Sequence, residues 1–87
     1  EQKIFTGSEV NVPKPAPDLF LYAAKKMGFK PEECVVIEDS VTGVTAAVNA
    51  NIRVYGIINN LFSEEDLEGA GAIPFTKMEE LPELLGL

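Results

Sequence analysis

The sequence predicts an α/β fold, a three-layer Rossmann-like packing of helices on a parallel sheet, and three observations predict it. Short apolar runs alternate with amphipathic stretches four times along 87 residues. The run Cys34-Val35-Val36-Ile37 is unbroken and rich in β-branched residues, as in a strand covered on both faces. The spacing of the runs suits right-handed helical crossovers. No internal repeat is visible, and no apolar stretch approaches the roughly 20 residues of a membrane helix. Residues 1–87 therefore read as one small globular unit with a modest core.

Gln2 to Thr6 reads as a short strand, followed by a polar connection in which Pro15 and Pro17 enforce extended backbone. A helix follows, with Leu19, Phe20, Ala23, Ala24 and Met27 on one face and Gly28 as its stop. Pro31 to Cys34 turns into a strand over residues 34–38. Asp39 to Gly43 reads as a polar turn, and Val44 to Ala50 as a helix whose alanines allow close approach to the sheet. Asn51 can take the left-handed conformation that a glycine would otherwise supply. Ile52 to Ile58 returns to strand, and Asn59-Asn60 breaks it. Ser63 with Asp66 forms a capping box for a short helix ended by Gly69 to Gly71. Ala72 to Phe75 is a last strand, and Thr76 with Glu79 a second capping box opening a helix through Leu85.

The formal charge is −7, and it is uneven. Residues 61–87 hold seven acids against Lys77 alone, a pattern expected of a solvated face. With no basic stripe there is no phosphate-tracking surface for nucleic acid and no attraction to anionic lipid. The sequence has no histidine and one cysteine, which excludes histidine catalysis, an intrachain disulfide and zinc-ligand spacing. Cys34 opens an apolar strand and reads as a small buried hydrophobe rather than a reactive thiol. The start at Glu1-Gln2-Lys3 has no charged-then-apolar leader, so a cytoplasmic location is expected, and it looks internal to a longer chain.

Open parallel sheets bind ligands beyond the carboxyl ends of their strands, so polar residues just after an apolar run are candidates. One is Lys14-Pro15-Ala16-Pro17-Asp18, where flanking prolines would hold the lysine in place as a point charge for a phosphate or carboxylate. The competing interpretation is a solvated lysine at a helix entry, which the pentapeptide alone favours. The other is Val36-Ile37-Glu38-Asp39-Ser40, where two acids and a hydroxyl close a buried strand. Magnesium takes one or two carboxylates and completes its octahedron with water and substrate oxygens, which suits such a pair. Glu38 and Asp39 would point to opposite sides of an ideal strand, so joint coordination needs the chain to be turning at residue 39. Equally, Asp39, Ser40 or Thr42 could cap the next helix with Glu38 in solvent.

Together the segments KPAPDLFLYAA, from Lys14, and PEECVVIEDSVTGVTAA, from Pro31, resemble the carboxyl-terminal motifs of the haloacid dehalogenase superfamily, in particular its β-phosphoglucomutase-like phosphatases and phosphomutases. The resemblance runs from about Phe5 to Gly56. It implies a catalytic role for Lys14, steadying the charge of a nucleophilic aspartate and of the transferring phosphoryl group. It implies magnesium binding by Glu38 and Asp39, with Asp39 the safer assignment, and places Ser40 and Gly43 in the phosphate vicinity. The family's DxDx(T/V) nucleophile motif, its upstream phosphate-binding Ser/Thr motif and its cap have no counterpart here.

The resemblance therefore implies the carboxyl-terminal part of a larger magnesium-dependent phosphohydrolase core, lacking the amino-terminal nucleophile strand and the cap, and inactive alone. The parent would form an aspartyl-phosphate from a small phosphorylated metabolite, either releasing phosphate or returning it to a sugar as a phosphomutase. Loss of the nucleophile strand should expose a long apolar sheet edge, so the missing amino-terminal part or a second copy of the chain is the expected partner. The alternative is a non-catalytic receiver-like or interaction module of the same architecture. Motif order disfavours the receiver, in which the acidic pair precedes the lysine.

Overall fold

A computed structural model describes residues 3–6 and 18–86. Among these residues four strands and four α-helices alternate: β1 (Lys3–Thr6), α1 (Asp18–Met27), β2 (Cys34–Glu38), α2 (Val41–Asn49), β3 (Arg53–Ile57), α3 (Glu64–Ala70), β4 (Ile73–Phe75) and α4 (Leu81–Leu84). The strands form one sheet in the order β1-β2-β3-β4, and every neighbouring pair is parallel. All four carboxyl ends therefore lie along one rim, with Thr6 beside Ile37, Glu38 beside Gly56 and Ile57 beside Phe75.

The period of two along β2 sorts its side chains between two clusters. Cys34 and Val36 join Phe20, Ala24, Val44, Ala46, Ala47, Val54 and Leu67, so α1, α2 and α3 pack on one face. Val35 and Ile37 join Tyr55, Phe75 and Leu81 on the other, where α4 contributes. Every residue of β2 is buried, as its unbroken apolar run required. The alanines of α2 are buried against the sheet, where a larger side chain would hold the helix away.

Several boundaries differ from expectation for local reasons. Helix α2 begins at Val41, three residues before the expected Val44, because Ser40 caps it: its hydroxyl accepts from Gly43 N at 3.1 Å. Gly43 thus lies in the first turn of the helix, not in the preceding turn. In α1, Phe20 and Ala24 are buried as expected, but Met27 is 52% exposed; Phe29, beyond the turn at Gly28, packs against the core. The last capping box uses Glu80, not Glu79, with its carboxylate accepting from the Thr76 and Lys77 N–H groups. The expected final helix is a 3-10 turn over Met78–Glu80 followed by the short α4, whose Pro82 suits a first turn. Asn51 has φ 60°, as its place after α2 suggested.

Strand β2 has a neighbour on each side. Four residues of β1 pair with it from Lys3↔Cys34 to Thr6↔Ile37 and occupy its hydrogen-bonding groups, leaving β1 and β4 as the sheet edges. No helix among the described residues is long and apolar enough to cross a membrane.

Candidate active site

The candidate site is the turn from β2 into α2. Because Cys34 and Val36 face the helices, period two sends Glu38 to the same side, toward the first turn of α2. The side chain is 3% exposed, and Glu38 is the one buried charged residue among those described. Burying a carboxylate is costly unless its oxygens are satisfied. Here Oε1 accepts from Asp39 N at 3.1 Å and from Ser40 Oγ at 3.3 Å. The positive end of α2 adds a favourable field.

Gly43 makes the room. A Cβ at this position would overlap the Glu38 carboxyl group, so only a residue without a side chain lets that carboxylate lie against the helix. Ser40 serves both neighbours: its oxygen caps Gly43 N while its proton goes to Glu38. Its hydroxyl also lies 3.3 Å from Thr42 Oγ1. Ser40, Gly43 and Glu38 thus form one compact unit. Glu38 is not the solvated residue of the capping alternative, although Ser40 is the cap that alternative named.

Asp39 is exposed, one residue past the end of β2. The chain bends at residues 39 and 40, which meets the condition for two successive carboxylates to serve one rim. Asp39 is held by its main chain: its N–H donates to Glu38, and its carbonyl accepts from Asn59 Nδ2 at 2.8 Å. Asn59 is the residue that sequence reasoning missed, since the Asn59-Asn60 pair signalled only the end of a strand. Lys14 lies outside the described residues, as does the rest of its proline-flanked segment up to Pro17.

The donor chemistry of this rim suits magnesium rather than a softer metal, with two carboxylates and no sulfur or imidazole. Among the described residues no group of three or more metal-binding side chains gathers. The Glu38-Asp39 turn offers two carboxylates, and magnesium commonly takes one or two from protein. Cys34 is buried, its thiol donates to the Lys30 carbonyl at 3.3 Å, and burial pushes its pKa up, so it is inert packing as expected.

The haloacid dehalogenase-like hydrolase model matches residues 2–51, a span that contains this whole turn. The chain belongs to the haloacid dehalogenase-like hydrolase family. It is 39% identical over 80 residues to a phosphorylated carbohydrates phosphatase of Thermotoga maritima, covering 91% of this chain and 37% of that protein. It is 30% identical over 82 residues to 6-phosphogluconate phosphatase of Escherichia coli, covering 94% of this chain and 37% of that protein. Among solved structures, a family hydrolase from Deinococcus radiodurans, holding phosphate and sodium, superposes with a TM-score of 0.75 at 38% identity. That match covers 84% of this chain and 34% of that one. A Thermotoga maritima protein with a provisional beta-phosphoglucomutase assignment gives a TM-score of 0.74 at 37% identity, covering 92% and 38%. The chain spans a little over a third of the length of these two phosphatases. The Rossmann-like parallel sheet is thus the family's fold, and the hydrolase family is the one that the two quoted segments resembled.

Proposed function

We propose that the protein carrying this chain is a magnesium-dependent phosphohydrolase of small phosphorylated metabolites that works through an aspartyl-phosphate. The observation that carries this reading is the Glu38-Asp39 turn, where a buried, doubly hydrogen-bonded carboxylate precedes an exposed one at the carboxyl rim of a parallel sheet. Family membership supports hydrolysis, and the names of the two phosphatase relatives favour phosphatase over phosphomutase chemistry.

In this reading Asp39 and Glu38 hold the magnesium ion, which when bound offsets negative charge on the phosphoryl oxygens. Ser40 and Gly43 keep the Glu38 carboxylate in place without competing for substrate. Lys14 sets a compact positive charge beside the transferring group, as a lysine can without a bidentate fork. The phosphoryl acceptor is an aspartate elsewhere in the protein, whose carboxylate oxygen forms a bond to phosphorus as the ester P–O bond breaks. The leaving alkoxide takes up a proton, and water then cleaves the acyl phosphate to regenerate the carboxylate. The chain alone lacks that acceptor and is inactive, and the remainder of the same protein is the partner it needs.

In the full-length protein, Asp39→Asn and Lys14→Ala should each nearly abolish turnover of a small phosphate ester such as p-nitrophenyl phosphate while thermal melting stays near wild type. Turnover retained in both variants would refute the assignment.

A further inference from the structure

We infer that Asn59 is a positioning residue, tying the loop after β3 to the main chain of Asp39 and so setting the direction of the Asp39 carboxylate. The inference rests on the magnesium-phosphohydrolase reading above and assigns a role to a residue twenty positions away from the acidic pair. Its basis is a fully used side-chain amide. Nδ2 donates to the Asp39 carbonyl at 2.8 Å and to the Ile57 carbonyl at 3.0 Å. Oδ1 accepts from Leu61 N at 2.9 Å and Phe62 N at 3.1 Å. Two donors and two acceptor sites are all that a primary amide has. The orientation is forced, because a flipped amide would set two N–H donors against two others and its oxygen against two carbonyls.

Asn59 is exposed, and such a residue could satisfy its amide with water. Instead its oxygen folds the 59–62 loop back on itself, a turn completed by Asn59 N donating to the Phe62 carbonyl. Its nitrogen then clamps the two carbonyls at the ends of adjacent strands. Asp39 is therefore held in both of the peptide units that flank its Cα, at N–H by Glu38 and at C=O by Asn59. With one CH2 between Cα and the carboxyl group, fixing the backbone narrows the positions the carboxylate can reach to a few rotamers. Outer residues that orient metal ligands in this way typically change metal affinity by roughly 10- to 100-fold when removed.

Two substitutions separate the bridge from the local turn. Asn59→Asp keeps an oxygen for Leu61 N and Phe62 N but replaces the donor to Asp39 with a second acceptor; Asn59→Ala removes both. A residue that only shapes its own loop would leave N59D like wild type, and the added negative charge would if anything attract a cation. The inference predicts that N59D and N59A both bind magnesium about 10-fold more weakly. This is to be read by calorimetric titration of the full-length protein with Mg2+ alone and by the Mg2+ dependence of p-nitrophenyl phosphate turnover. At saturating Mg2+, kcat should recover toward wild type, with KM for the ester unchanged. N59D with wild-type magnesium affinity, or with a kcat loss that magnesium does not rescue, overturns the inference. Asp39→Asn, measured alongside, tests the underlying reading: if it loses magnesium binding and turnover while N59D is unaffected, only the role of Asn59 fails. If D39N keeps both, the reading itself fails.

Discussion

Two helix amino-termini in this chain begin with the same residue and are finished in different ways. Helix α3 carries a self-contained capping box: Ser63 accepts from Asp66 N at 3.2 Å, and Asp66 returns the bond by accepting from Ser63 N at 2.9 Å. Helix α2 has the same serine cap, but its third residue is Gly43, which has nothing to return. The carboxylate comes from outside the helix, where Glu38 fills the space left by the glycine and accepts from Asp39 N and Ser40 Oγ. The first arrangement ends a helix in water. The second brings a charged group to the rim of the sheet and makes it part of the fold, which is why a carboxylate can be buried there at all.

The comparison breaks most visibly at its two helix glycines. Gly43→Ala should destabilise the protein by about 1–3 kcal/mol, the usual cost of forcing atoms into a filled site, and should displace Glu38 from α2. Gly69→Ala, in α3, meets no atom within 4 Å and should stabilise by about 0.5–1 kcal/mol through better helix propensity. Urea melts of both variants check the pair, and equal effects would mean that Gly43 is not reserved for Glu38.

A smaller contrast lies in the caps themselves. Ser63→Ala should cost about 1 kcal/mol, since the Asp66 carboxylate still holds the Ser63 N–H. Ser40→Ala should cost nearer to about 2 kcal/mol, because it also strips a donor from a buried carboxylate. A smaller loss at residue 40 than at residue 63 would show that Glu38 does not depend on the serine.

The smallest effect concerns a third acidic cap, fully exposed at Glu80. The Thr76 hydroxyl, followed by the Lys77 and Thr76 N–H groups, holds its carboxyl below the usual glutamate range. A lowered folded-state pKa means that the bonds contribute fully above the ordinary glutamate value and are lost as pH falls through the depressed one. Thr76→Ala should move the Glu80 titration midpoint upward in a carboxylate-detected NMR titration; an unmoved midpoint would remove the hydroxyl as the main cause.

Local chemistry made much of the architecture readable. The alternation of strand and helix, the Ser63 box and the left-handed Asn51 depend on neighbours within a few residues, the parallel sheet follows from helical crossovers between successive strands, and all are found as expected. The seven acids of residues 61–87 lie exposed, as their density implied. Where the reading slipped, near-equivalent residues competed. Glu79 and Glu80 offer similar carboxylates to the Thr76-Lys77 turn, and only the path of the backbone selects Glu80. Met27 has the right spacing for the core, but a helix end can leave the sheet before its last apolar residue.

The identity of the acidic pair, its place after a buried strand and the family it signals were legible in the residues themselves, because apolar runs and motif spacing are properties of the chain in order. Tertiary packing alone decided that Glu38 is enclosed while Asp39 is open, that Gly43 serves a carboxylate five residues back, and that Asn59 reaches the Asp39 carbonyl. Those outcomes depend on which face of β2 meets α2 and on how adjacent parallel strands place their terminal loops side by side. Period two can suggest the first of these, but no local pattern brings residues 39 and 59 within hydrogen-bonding distance.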